Sequence, residues 1–208
     1  MSGNREYKSD TFSMLLEEPE YALEIYNVLN KSNYTDVGMV EMKMLDRGIS
    51  LSVRNDAAFI VDTDLNMYEH QSTFNPNMPL RHLLYFSKTI EQIVKNRDLY
   101  SKKKITVPTP HFVVFYNGVD KRPETEIMRF SDSFSKAVDN PEIELYCKVY
   151  NINPGNNNEI LSESSILYGY MIFIEKIRRK VDEDMPLEDA RRFLNATDEE
   201  IKKAKEGI

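Results

Sequence analysis

The stretch Asp56-Ala-Ala-Phe-Ile-Val-Asp-Thr-Asp-Leu-Asn-Met-Tyr-Glu-His-Gln71 constrains the fold more than any other part of the chain. Its two apolar runs, residues 57–61 and 65–68, flank a Thr63-Asp64 turn and predict a β-hairpin. Side chains alternate between faces along a strand, so Asp56, Ala58 and Ile60 share one side. Met67, Glu69 and Gln71 share one side of the partner strand. With an even-numbered loop, either Thr63-Asp64 or residues 63–66, the two sides coincide; a slip of one residue would separate them.

On the matched side, two carboxylates and an amide would stand on otherwise apolar strands. Asp56 and Glu69 repel unless a positive charge lies between them, and a divalent cation with oxygen ligands suits that position. The alternative is a solvated hairpin edge on which Glu69 and Gln71 simply face water.

Composition narrows the class. A chain of 208 residues can bury a sizeable single core, and 41% apolar with 29% charged residues is ordinary for a globular domain. No apolar run reaches membrane-spanning length and the first residues lack a secretory signal core, so a cytoplasmic protein without membrane contact is expected. The single cysteine, Cys147, excludes an internal disulfide and disfavours structural zinc. A net charge of −7 opposes indiscriminate nucleic-acid binding. Residues 88–104 nevertheless carry Lys88, Lys95, Arg97, Lys102, Lys103 and Lys104 against Glu91 and Asp98, and Arg178-Arg179-Lys180 forms a second basic knot. These are either solvated surface or a positive rim around the acidic pair.

Along the chain, residues 10–30 read as helix with Pro19 opening a second segment, and strands are expected at 40–45 and 49–53 around an Asp46-Arg-Gly48 turn. After the hairpin, Asn75-Pro-Asn-Met-Pro79 stops the strand and starts a helix to about Asn96, with Asn77 as cap and Pro79 in the first turn. Strands are expected at 110–118, 126–130 and 143–152. Helices follow the Asn156-Asn157-Asn158 turn, with Ile166, Tyr170, Ile174, Ile177 and Val181 on one face and a Thr197-Asp-Glu-Glu200 capping pattern on a last helix. The fold class is α/β (α+β), a mixed sheet flanked by helices, with a core over residues 1–155 and a helical C-terminal segment, 156–208, packed on it.

Certain motifs carry a resemblance. Asn55-Asp56, then Tyr68-Glu-His-Gln-Ser-Thr73, then Asn75-Pro-Asn-Met-Pro-Leu-Arg81 resemble the PD-(D/E)XK nuclease family of bacterial recombination-promoting nucleases and transposases. Asp10-Thr-Phe-Ser, Pro108-Thr-Pro-His-Phe-Val-Val-Phe-Tyr-Asn-Gly118 and Asn151-Ile-Asn153 are supporting matches, in the family's order, over roughly residues 8 to 180. The resemblance weakens after that, in the tail from Met185. It implies a restriction-endonuclease-like core and a metal-dependent DNA endonuclease tied to mobile elements or recombination.

The resemblance also implies a ligand set: Asp56, Glu69 and the His70 carbonyl around Mg²⁺ or Mn²⁺. Many such nucleases place a lysine two residues after the acid, whereas this chain has Gln71, which can orient water but cannot take a proton. Asp10 is expected either to hold a metal-bound water or to cap its helix. Arg81 and Tyr85, four apart on one helical face, either present a cation and a hydroxyl to phosphate or serve as an ion-pair partner and a core side chain. The His70 ring should lie on the far side of the sheet, and His82 and His111 read as structural. DNA is the expected partner, with homodimerisation open. The alternative function is a nuclease-like fold with little or no catalysis, acting as a nucleic-acid- or protein-binding regulator or inhibitor of phage or mobile-element origin.

Overall fold

The computed structural model describes residues 11–43 and 56–181. A six-stranded mixed sheet flanked by helices forms its centre, with strand order β1-β2-β3-β4-β6-β5. The strands are β1 (Val40–Met42), β2 (Ala57–Val61), β3 (Asp64–Gln71), β4 (Thr109–Tyr116), β5 (Thr125–Arg129) and β6 (Tyr146–Asn151). β1, β2 and β3 are antiparallel neighbours, β3, β4 and β6 run parallel, and β5 returns antiparallel on β6. The strands expected at 49–53, the Asp46-Arg-Gly48 turn, Asp10 and the Thr197 capping pattern lie outside the described residues.

β2 is buried along its whole length and β3 everywhere but its first residue, because helices cover both faces at the centre of the sheet. On one face, α1 (Pro19–Asn30), the helical residues 11–16, α3 (Asn158–Glu163) and α4 (Ser165–Val181) pack on Phe59, Tyr68, Phe115 and Ile152. On the other, α2 (Met78–Val94) packs on Ala58, Met67, Val114 and Cys147 through Met78 and Tyr85. Each fully buried large apolar side chain contributes about 1.5–3 kcal/mol, so these two layers dominate stability. α2 also crosses between the parallel strands β3 and β4, and so runs from the C-terminal end of β3 back to the N-terminal end of β4. No helix among the described residues is long and apolar enough to cross a membrane.

Two local expectations change. The hairpin turn is Asp62-Thr63 rather than Thr63-Asp64: Val61 pairs with Asp64, and Asp62 takes a left-handed φ of 54° that aspartate tolerates better than most residues. The loop stays even-numbered, so the matched faces survive. Asn77 stands at the N-cap of α2 but makes no side-chain cap bond. Instead its own N–H donates to Asn75 Oδ1 at 2.9 Å.

Candidate functional site

The register decides the site. Ala57 pairs with Tyr68 and Ala58 with Met67, so Asp56, one residue before β2, comes opposite Glu69. Both sit at the end of the sheet where the parallel strands finish. Ala58 and Met67 belong to the layer beneath α2, and Glu69 follows Met67 by two residues onto that same face.

Glu69 is only 2% exposed. Its Oε2 accepts a hydrogen bond from Arg81 Nη2 at 3.0 Å, while its Oε1 is buried with no hydrogen-bond partner among the described residues. Arg81 reaches back from the first turn of α2, and its Nε and Nη2 also donate to the Tyr85 hydroxyl at 3.0 and 2.8 Å. Its Nη1 meets only the weak acceptor Met78 Sδ, at 3.4 Å. Asp56 Oδ2 accepts from the His70 backbone N–H at 2.7 Å, and Oδ1 from Ser13 Oγ at 3.4 Å. The helical residues 11–16 therefore lean on the same acid.

The electrostatics follow from this packing. Burial, and then the Asp56 charge, push the Glu69 carboxyl well above the ordinary carboxylate range. The Arg81 charge, the Tyr85 hydroxyl and the Asp56 backbone N–H pull the other way without reversing it. Burial works against the Arg81 charge, but Glu69 and Tyr85 outweigh it and hold the guanidinium protonated. Among the described residues, the Arg81 guanidinium is the cation that meets the Glu69 carboxyl.

Gln71 shares the Glu69 face, but its Oε1 accepts the Asn75 N–H at 3.1 Å. The side chain braces the loop between β3 and α2. His70 divides its roles. Its ring lies on the far face as expected, against Phe12 and Tyr170 at centroid separations of 5.6 and 5.2 Å, with Nε2 2.8 Å from Asn117 Oδ1. An extended residue directs its N–H and C=O to the same side, so the His70 carbonyl faces the β2 side of β3, the side on which its N–H meets Asp56. Of the two readings of Arg81 and Tyr85, the structure has the ion pair and the core side chain: Tyr85 is fully buried.

Beneath the site lies a layer that spacing alone did not reveal. Cys147 Sγ stands 3.4 Å from His82 Nδ1. Burial, then the Glu69 charge, push the thiol up to about 12, and burial, then Arg81, push the imidazole down to about 3. Both are neutral packing groups at physiological pH. At the rim, Arg178 Nη1 donates to Asn153 Oδ1 at 3.0 Å, which brings one member of the second basic knot to this end of the sheet. The run 88–104 does not form a rim here: α2 carries it to the opposite end, toward Thr109 at the start of β4.

The Asp56 and Glu69 carboxyl groups, the second with an Oε1 that has no hydrogen-bond partner among the described residues, and the His70 carbonyl make a hard-oxygen donor set suited to Mg²⁺ or Mn²⁺, with water completing the shell. Among the described residues no three His, Cys, Asp or Glu side chains converge as a metal cluster. No family model, curated protein or solved structure matches the chain.

Proposed function

We propose that this protein is a metal-dependent DNA endonuclease of the PD-(D/E)XK type, acting in the cytoplasm in a mobile-element or recombination system. The observation that carries the reading is the juxtaposition of Asp56 and Glu69 across β2 and β3, with Glu69 Oε1 buried and without a hydrogen-bond partner among the described residues. The element order agrees with it: a helix, three antiparallel strands, a helix crossing over, then a parallel strand.

In this reading Asp56, Glu69 and the His70 carbonyl hold one or two Mg²⁺ or Mn²⁺ ions. When bound, the ion polarises the scissile phosphate and lowers the pKa of a coordinated water. The chain's own residues do the rest. Arg81 fixes the Glu69 carboxylate in one orientation and, through Nη1, can meet a phosphate oxygen in exchange for Met78 Sδ. Tyr85 holds the guanidinium plane. The Gln71 amide can orient a water but cannot deprotonate it, so water activation depends on the ion and cleavage is slow without a full metal complement.

A second reading has its own support. Arg81 already neutralises one Glu69 oxygen and Gln71 Oε1 is engaged by Asn75, which fits a nuclease-like regulator that binds without cutting. Plasmid nicking in Mg²⁺ or Mn²⁺, comparing wild type with Asp56→Ala and Glu69→Ala, separates the two. Cleavage lost in both variants supports the endonuclease. Equal cleavage in all three proteins overturns the assigned site. DNA binding without cleavage under any metal selects the regulator.

A further inference from the structure

Residues 95–104 form a surface loop between α2 and β4 with an unusual character. Lys95, Arg97, Lys102, Lys103 and Lys104 are all exposed, against the single acid Asp98, in a chain whose net charge is −7. At its tip stand Leu99, 64% exposed, and Tyr100, 100% exposed. No packing need explains a bare tyrosine there.

The loop is held by its own hydrogen bonds. Arg97 N–H donates to the Val94 carbonyl at 2.8 Å and Ser101 N–H to the Asp98 carbonyl at 3.2 Å. The Tyr100 N–H is taken by Asp98 Oδ1 at 3.0 Å, and the Lys103 N–H by Ser101 Oγ at 3.3 Å. Asp98, the one acid of the loop, accepts the bond that shapes the turn at Tyr100 and offsets one of the five cations. The local excess of positive charge is left facing solvent.

We infer that this loop is a binding surface for single-stranded nucleic acid: the lysines and Arg97 follow the phosphates and Tyr100 stacks on an unpaired base. Cations set along a backbone with an aromatic ring offered to a base face are what sequence-tolerant strand binding requires. The loop is remote from Asp56 and Glu69. β4 has eight residues, so at about 3.3 Å per residue its two ends stand roughly 25 Å apart. A strand held here is anchored rather than cut. The inference borrows from the proposed function only the choice of nucleic acid as ligand.

The test is fluorescence anisotropy of a labelled oligo-dT 20-mer with the full chain, in EDTA so that cleavage is silent, at several salt concentrations. Wild type is compared with Tyr100→Ala and with a triple Lys102→Ala, Lys103→Ala, Lys104→Ala variant; thermal melts verify that these exposed changes leave the fold intact. Tyr100→Ala should weaken binding about tenfold. The triple variant should flatten the slope of log affinity against log salt by about 2, since each phosphate contact on a single strand contributes about 0.7. Variants within twofold of wild type, no binding by wild type, or binding to phosphatidylserine vesicles in preference to the oligonucleotide would each overturn the inference. A chain that binds through this loop and never cuts would refute the nuclease reading alone.

Discussion

Replacing Glu69 by glutamine should make the metal-free protein more stable at neutral pH. The carboxylate keeps its Oε1 buried without a hydrogen-bond partner among the described residues, next to Asp56. An unsatisfied buried polar atom costs about 1–3 kcal/mol, and a glutamine amide there could instead donate to Asp56. Against this stands the loss of the Glu69–Arg81 ion pair at 3.0 Å. The glutamine carbonyl oxygen still accepts from Arg81, whose side chain is 34% exposed, so the loss is that of a charged for a neutral acceptor, about 1 kcal/mol. The balance is a gain of about 1–2 kcal/mol, a rise in Tm of roughly 2–8 °C for a chain of this size.

The pH dependence supplies a second signature. A carboxyl raised above its unfolded value contributes stability below the unfolded pKa and loses it as pH rises through the folded one. The advantage of Glu69→Gln should therefore grow from acidic to neutral pH and vanish below the ordinary carboxylate range. Urea unfolding in EDTA at a series of pH values measures both effects. A variant destabilised by more than about 1 kcal/mol at neutral pH would refute the view that this carboxylate is held against its own stability for the sake of a ligand.

Further outcomes follow from the same contacts. Tyr85→Phe removes the acceptor of Arg81 Nε and Nη2 and should cost about 1–2 kcal/mol in urea unfolding while freeing the guanidinium; an unchanged midpoint contradicts the placement of Tyr85. Gln71→Ala frees the Asn75 N–H, and should cost about 1 kcal/mol and speed hydrogen exchange in the 72–77 loop; exchange at the wild-type rate argues against the bracing role. Cys147, buried with its thiol pushed up to about 12, should resist a thiol reagent in the native protein and react on unfolding. Rapid native labelling would show that the layer under the site is open.

Much of the site was legible because a strand has a period of two. Asp56, Glu69 and an even-numbered loop suffice to place both acids on one face, and the turn's shift by one residue to Asp62-Thr63 leaves that parity intact. What the pattern could not supply was anything set by the path of α2. Whether Arg81 would meet a phosphate or an acid depends on how closely the helix packs on β3, and it packs closely enough to pair with Glu69. The basic run 88–104 could ring the acids or face away from them, and the helix length carries it away. Asn77 has the residue type of a cap, but its side chain makes no cap bond and its N–H is taken by Asn75 Oδ1, a turn geometry that residue type does not encode. Ser13 against Asp56, and Cys147 against His82, join residues 43 and 65 positions apart, a distance no spacing rule spans.

Diffraction from a crystal soaked in Mn²⁺, read through the metal's anomalous signal, would probe the paired acids with least intervening inference. The expected result is a peak between Asp56 and Glu69, about 2–2.6 Å from a carboxylate oxygen of each. A soaked crystal with Mn²⁺ bound elsewhere and Glu69 still held by Arg81 alone would contradict it.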